Sequence, residues 1–278
     1  MKNLQKLALL AVLGMGAIFT ACEKENDSVV DQEVTAEIPQ QVLDKIAALA
    51  FNPNDVTYED FVFPDGTSEK RYVIEGDIAL SADFIESMDL YGGITSEQYR
   101  TNNLVADGNI TVIGYTGGGG FGLSSKNRTG LQWAVNNYNR LNLDISMTLT
   151  FGTNYQDKDI VVYQNPNAGG SGGSAGFPSG GRPNKFIQVY GLDGFSNNVN
   201  EHVICHEIGH SIGFRHTDWF SRQSCGQNTN EGTAGVGAVH IPGTPTGYDS
   251  TSLMLACFNS GVDGEFNGND VTALRFLY

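Results

Sequence analysis

The chain is 278 residues long, carries a formal net charge of −15, and is 40% hydrophobic. This composition is typical of a globular protein, and the length suits one large domain with an appended segment. The strong negative charge argues against nucleic acid or an anionic membrane surface as the working partner.

The first 21 residues have the pattern of an export signal, with lysines, an apolar run too short for a comfortable membrane span, and small residues up to Ala21. A small residue followed directly by Cys22 resembles the lipobox of bacterial lipoproteins, which implies cleavage before Cys22 and a lipid on its thiol. The alternative is an ordinary signal peptide beside an incidental cysteine. We therefore expect a protein lipid-anchored to the bacterial cell envelope, at the outer membrane or cell surface, or else secreted. Residues 22–45 are polar and acidic and are predicted to form a tether.

Residues 46–108 are predicted to form a pro-region or N-terminal segment. They contain two alternating strand patterns around the turn "PDGTSE", followed by a helical "SADFIESM". They lack the glycine-rich character of the chain that follows, so we place a boundary between residues 108 and 109.

Residues 109–278 are predicted to form an α+β domain. The stretches "NITVIGY", "ISMTLTFG", "DIVVYQN" and "NKFIQVYG" have strand patterns, and "RTGLQWAVNNYNRLN" has an apolar stripe at helical spacing. A second helix carries "EHVICHEIGH". We expect a twisted mixed sheet backed by these two helices, then a smaller irregular C-terminal subdomain that ends in the helix "DVTALRFLY".

Four of the five histidines lie within residues 202–216. His206 and His210 project from one face of a helix about one turn apart, which suits two imidazoles on one tetrahedral Zn2+. Gly213 can end that helix in a left-handed turn, so that the chain doubles back and delivers His216 as a third ligand. The full string, H-E-x-x-H-x-x-G-x-x-H, is a known zinc-peptidase signature.

Glu207, beside the first ligand, indicates the chemistry. Three histidines leave the fourth zinc position to a water whose pKa falls to about 7, and Glu207 accepts its proton as the water attacks a peptide bond. The sequence therefore predicts a zinc endopeptidase acting on proteins or peptides. The alternatives are a structural zinc site, a catalytically silent binding module, and a zincin whose third ligand is Glu231 or Glu265 instead of His216.

The stretches "CHEIGHSIGFRH", "HIPGTP", "SLML" and "GNDVTALRFLY" resemble metzincin metallopeptidases and, among them, the bacterial dual-action HEIGH metallopeptidases. The resemblance covers roughly residues 109–278. It implies a metzincin-like zincin fold with Met254 in a turn beneath the zinc, as an apolar floor and not as a ligand. Astacins and serralysins have a tyrosine two positions after this methionine, where this chain has Ala256, so we expect three protein ligands only.

The stretch "YVIEGDIAL" resembles the astacin pro-segment motif whose aspartate caps the zinc and keeps the enzyme latent. The resemblance implies a zymogen with Asp77 as the latency ligand. Gly-Asp is also ordinary turn chemistry, so both interpretations stay open. In the same way, "GGSAGFPSGGRPNKFIQVYG" lies where metzincins place the edge strand above the cleft, which suggests strand addition by an extended substrate; a flexible loop is the alternative.

Three cysteines remain after Cys22. Cys225 and Cys257 lie in loop-like sequence and are predicted to form a disulfide in an oxidising compartment, whereas Cys205 is expected to be a buried thiol. We expect a monomer. Structural Ca2+ is a further hypothesis, although no stretch matches a complete calcium loop. It is based on aspartates near turns: Asp157, Asp159, Asp193, Asp263 and Asp270.

Overall fold

The computed structural model describes residues 38–88, 99–227, 239–245 and 247–278. These residues belong to one compact unit, Glu37–Tyr278. The export signal, the lipidation candidate Cys22 and the alternative ligand Glu231 lie outside the described residues. Among the helices that are described, none has the length and apolar character needed to cross a membrane.

The N-terminal part of the described chain is a small three-stranded antiparallel sheet, with one helix before it and one after it in the chain. Its elements are α1 (Gln40–Ala48), β1 (Val56–Val62), β2 (Ser68–Ile74), β3 (Ile78–Leu80) and α2 (Ala82–Ser87), and the strand order is β1-β2-β3. Helix α1 crosses the predicted boundary between residues 45 and 46. The apolar side chains of these elements form a core of their own, and Phe177 from the chain after residue 108 packs into this core.

The central sheet has five strands in the order β6-β5-β7-β9-β8. They are β5 (Gly108–Tyr115), β6 (Ile145–Gly152), β7 (Ile160–Gln164), β8 (Gly172–Ser174) and β9 (Phe186–Tyr190). The first four strands in that order run parallel, and β8 at the edge pairs antiparallel with β9. The sheet is therefore mixed, as the sequence predicted.

Two long helices, α3 (Ser125–Asn139) and α4 (Asn197–Ile212), pack together against this sheet. Their buried apolar side chains share the main core with those of β5, β7 and β9. The hydroxyl of Ser124 caps α3 and that of Ser196 caps α4, each accepting a hydrogen bond from a backbone N–H of the first turn. These two helices are those that the sequence predicted.

After α4 the chain has few regular elements. Strand β4 (Tyr99–Arg100) pairs antiparallel with β10 (Val239–His240), and α5 (Gly268–Leu277) ends the chain. The side chain of Asn267 caps α5 by accepting from two backbone N–H groups. The mixed sheet, the two backing helices and the irregular C-terminal part with its last helix confirm the predicted α+β class.

Candidate active site and metal centre

Helix α4 and the turn that ends it bring the three predicted histidines together. Gly213 has a φ of 117°, a left-handed conformation that suits glycine, and the chain reverses there. His206 is 6% exposed, and both His210 and His216 are fully buried. One ligand atom from each of the three, with one from Asp77, lie within 4.8 Å of one another.

The Nδ1 atom of each ring is held by an acceptor from elsewhere in the fold. His206 Nδ1 lies 3.0 Å from the carbonyl oxygen of Leu253, and His210 Nδ1 lies 2.8 Å from that of Phe214. His216 Nδ1 lies 2.8 Å from Glu75 Oε2. Since an oxygen of this kind accepts a hydrogen bond, we assign the ring proton to Nδ1 in each case, which leaves the Nε2 lone pair available.

The three Nε2 atoms converge on one point. Those of His210 and His216 are 3.2 Å apart, and that of His206 has no hydrogen-bond partner among the described residues. When the rings are neutral, their Nε2 lone pairs are directed at this one point, where a divalent cation can accept them. This donor set fits zinc.

Asp77 faces all three of these nitrogens. Its Oδ2 is 3.0 Å from His216 Nε2, 3.4 Å from His206 Nε2 and 3.9 Å from His210 Nε2. Burial alone would raise the pKa of Asp77, but the histidines hold it well below its ordinary value. Asp77 thus lies where the latency interpretation requires it.

Backbone pairing fixes the position of Asp77. Glu75 and Gly76 have φ values of 58° and 90°, and this tight turn leads the chain into the histidine cluster. Beyond the turn, Ala175 N donates to Asp77 O at 2.9 Å and Ala79 N donates to Ala175 O at 2.7 Å. Ala175 directly follows β8, so the N-terminal segment pairs with the chain at the sheet edge.

Glu75 was not identified from the sequence, because a carboxylate 141 positions before His216 gives no spacing signal. Its side chain is 1% exposed and also accepts from Asn52 N at 3.0 Å. Arg222 Nη1 lies 3.4 Å from Glu75 Oε2. Burial alone would raise the pKa of Glu75, but the hydrogen bond from His216 and the nearby arginines hold it below its ordinary value.

Asp77 and Glu75 also shift the pKa of His216. Burial alone would lower the pKa of the imidazole, but Asp77 and Glu75 raise it to about 9.

Glu207 lies beside His206 and against strand β8. It is 2% exposed, and its Oε2 has no hydrogen-bond partner among the described residues. A Cβ atom added to Gly173 would lie 2.6 Å from Glu207 Cγ, so only a glycine leaves room for this carboxylate. Burial raises the pKa of Glu207 well above its ordinary value, and the negative charge of Asp77 raises it further.

Met254 lies under α4. A Cβ atom added to Gly209 would be 2.5 Å from Met254 Sδ, so the glycine before His210 allows the methionine to approach. Thr217 N donates to Met254 O. The preceding residue, Leu253, donates its N–H to Asp270, and its carbonyl oxygen faces His206. Met254 thus contacts the helix that carries His206 and His210, and its role as a floor beneath the zinc stays a prediction.

The remaining candidates have different positions. Cys225 and Cys257 form a disulfide, with 5.1 Å between their Cα atoms, and Cys205 is a buried free thiol. Glu265 is exposed and pairs with Arg140 instead of approaching the histidines.

The aspartates suggested for calcium do not share one environment. Asp159 accepts hydrogen bonds from the backbone and hydroxyl of Thr111, and Asp270 is buried against Leu253. The other three are exposed: Asp157, Asp193 and Asp263. Structural calcium stays a prediction.

Comparisons with known proteins add the family. The model of the dual-action HEIGH metallo-peptidases matches residues 72–278, so the match includes Glu75 and Asp77 as well as the region from residue 109 onward. Two solved structures of myroilysin match at 13% and 14% identity, covering 60% and 61% of this chain and 78% and 83% of their own, with TM-scores of 0.37 and 0.38. No curated protein sequence matches. The chain belongs to the dual-action HEIGH metallo-peptidase family and is a zinc metallopeptidase.

Proposed function

We propose that the protein is an endopeptidase in which His206, His210 and His216 hold zinc and Glu207 activates the attacking water. The observation that carries the proposal is the convergence of three buried Nε2 atoms whose Nδ1 atoms are all engaged elsewhere. When bound there, zinc would supply Lewis acidity toward the peptide carbonyl and would lower the pKa of water.

Glu207 moves the proton. Its carboxylate accepts a proton from the water as the water attacks the peptide carbonyl, and then donates it to the leaving amine. Burial favours this role, because a carboxylate with a raised pKa is a stronger base than an exposed one. The contact with Gly173 limits the positions open to the carboxylate.

Strand β8 supplies the surface for the substrate backbone. It lies at the edge of the sheet, beside Glu207, and a peptide in extended conformation would add to it as a further strand. A cavity of about 450 Å³ opens between β8 and the chain around Met254, with Val203, Leu255 and Phe258 among its lining residues. These features support a protein or peptide substrate.

We also propose that Asp77 makes the described form latent. Its carboxylate faces the same three Nε2 atoms that would hold the metal, and its backbone pairs with Ala175 beside the strand proposed for the substrate. A substrate therefore has to displace Asp77 from both places. For location, we propose that the protein is anchored to the cell envelope through Cys22, which the signal pattern alone supports. We also propose that it is a monomer.

The role of Glu207 can be tested with Glu207→Gln in the Asp77→Ala background, where latency does not limit the rate. The variant keeps the shape of the side chain and all three histidines, so we expect normal zinc content and a loss of peptide cleavage of about 100-fold or more. Metal content is measured by mass spectrometry, and cleavage of a random peptide mixture is measured with and without a chelator. Cleavage at the rate of the Asp77→Ala parent by the zinc-loaded double variant would show that another group is the base.

The role of Asp77 can be tested with Asp77→Ala in protein that has not been cleaved. We expect this variant to hydrolyse peptides faster than the wild type, because the nitrogens of the site are no longer faced by a carboxylate. Asp60→Ala is the control, since Asp60 is 57% exposed on β1 and pairs with Lys70. Equal activity of wild type and Asp77→Ala before any processing would leave Asp77 as a turn residue.

A further inference from the structure

Two carboxylates contact His216, one at each ring nitrogen. Asp77 Oδ2 lies 3.0 Å from Nε2, on the side where the three histidines converge. Glu75 Oε2 lies 2.8 Å from Nδ1, on the opposite side of the ring. Asp77 therefore occupies the place where water or substrate would bind beside a metal held by the three nitrogens, whereas Glu75 does not.

Glu75 is fixed by the structure around it. Asn52 N donates to its Oε1 at 3.0 Å, and Arg222 Nη2 donates to its backbone oxygen at 3.2 Å. Its φ of 58° is unusual for a residue other than glycine, and a conformation of this kind persists only where surrounding contacts hold it. A histidine that binds a metal needs such a partner at its second nitrogen to fix the orientation and tautomer of the ring.

We propose that Glu75 is a positioning residue of the zinc centre, and that the N-terminal segment carrying it stays bound to the active enzyme after Asp77 has been displaced. This inference rests on the proposed function, because it assigns His216 as a zinc ligand. Activation then consists of the removal of Asp77 from the site and not of the loss of residues 46–108 as a whole.

A second contact attaches the same segment next to His216. The side chain of Arg215 is fully buried, and its guanidinium donates to Leu49 O at 3.0 Å and also to Ala50 O. It lies 3.8 Å from the ring centroid of Phe51. Departure of the segment would remove both of these acceptors and the Phe51 ring from the guanidinium. Arg215 and His216 are thus both held by the N-terminal segment.

The contribution of Glu75 can be measured as zinc affinity, without any peptide substrate. We compare Glu75→Gln with its parent in the Asp77→Ala background, using competition with a chelator of known affinity. Glutamine keeps the size and one acceptor oxygen but removes the charge, so we expect zinc affinity to fall by about tenfold, the lower end of the range for such partners. Glu69→Gln is the matched control, because Glu69 is an exposed glutamate on β2, and it should leave the affinity unchanged.

Unchanged zinc affinity in the folded Glu75→Gln variant would overturn the proposal. Failure of the proposed function gives a different result, since peptide cleavage would then be absent in Asp77→Ala while zinc affinity still depended on Glu75. Recovery of the wild-type affinity by Glu75→Asp would support a positioning role.

Retention of the segment is tested on the wild-type protein, independently of any variant. Zinc-loaded protein is treated briefly with trypsin and separated by size exclusion, and the peptides in the active fraction are identified by mass spectrometry. We expect the fragment that contains Glu75 to elute with the fragment that contains His216. An active fraction that lacks residue 75 and keeps the original zinc affinity would overturn the inference.

Discussion

Gly173 and Glu207 lie so close together that one added methyl group should lower activity. In Gly173→Ala, the new Cβ would lie 2.6 Å from Glu207 Cγ, 2.7 Å from Oε1 and 2.9 Å from Cδ. Carbon atoms in favourable contact are about 3.5–4.0 Å apart, so the carboxylate has to move by about 1 Å. A displacement of about 1 Å at a reacting group can cost about 100-fold in rate. We therefore expect kcat/KM to fall by about 10- to 100-fold.

Gly152 on β6, at the opposite edge of the sheet, provides the control. A Cβ atom there would lie 3.9 Å from Ile113 Cδ1, which is an ordinary contact. Both alanine variants are made in the Asp77→Ala background, so that latency does not limit the rate. The assay measures kcat/KM for a fluorogenic peptide, with zinc content and melting temperature determined for each protein.

The outcome separates a displaced base from a damaged fold. We expect Gly173→Ala to lose activity while it keeps zinc and stability, and Gly152→Ala to stay close to its parent. Equal kcat/KM for the two variants would refute the link between Gly173 and Glu207. Loss of zinc in Gly173→Ala would also refute it, because the histidines and not the base would then have moved.

Two further predictions concern stability. Gly130→Ala would place a Cβ 2.7 Å from the carbonyl carbon of Asn200 and 2.8 Å from Glu201 N. Since these backbone atoms cannot turn away, we expect α3 and α4 to separate and the unfolding free energy in urea to fall by about 1–3 kcal/mol. An unchanged unfolding free energy would mean that the two helices adjust freely. Burial, and then the charge of Glu265, raises the pKa of Glu201 to about 7. The folded state therefore favours the protonated acid, and the stability that protonated Glu201 gives to the fold is lost as the pH rises from about 4.5 through 7. Glu201→Gln should therefore increase the unfolding free energy by about 1–3 kcal/mol at pH 8 and leave it unchanged below pH 4. A difference between variant and wild type that is constant across this pH range would contradict the raised pKa of Glu201.

The part of the site that the sequence predicted is the part with short-range spacing. His206, Glu207 and His210 follow from helical periodicity, and His216 follows from the reversal at Gly213. Contacts between distant parts of the chain leave no such signal. Glu75 meets His216 across 141 positions, and this contact depends on how the N-terminal segment packs against the chain that follows α4.

The fold shows the same division. The strands, the two long helices and the terminal helix have periodic patterns that can be recognised from one segment at a time. The change in glycine content near residue 108 is real, but it gives no information about packing. Phe177 completes the core of the preceding segment, and Ala175 pairs with its backbone, so residues on both sides of the predicted boundary share contacts.

The turn at residues 75–77 combines support and inhibition of one histidine, and its backbone indicates how the two can be separated. A Cβ at Gly76 would meet no atom within 4 Å, so glycine is required there for its φ of 90° and not for space. Glu75 is held on its side chain and its backbone, whereas Gly76 has no side chain to restrain it. If Asp77 leaves while Glu75 stays, the change in dihedral angles has to fall on Gly76, the residue that can adopt most conformations at little cost. Rotation there, with loss of the hydrogen bond from Ala175 N to Asp77 O, would carry Asp77 away from the three nitrogens and leave the hydrogen bond that orients His216 in place.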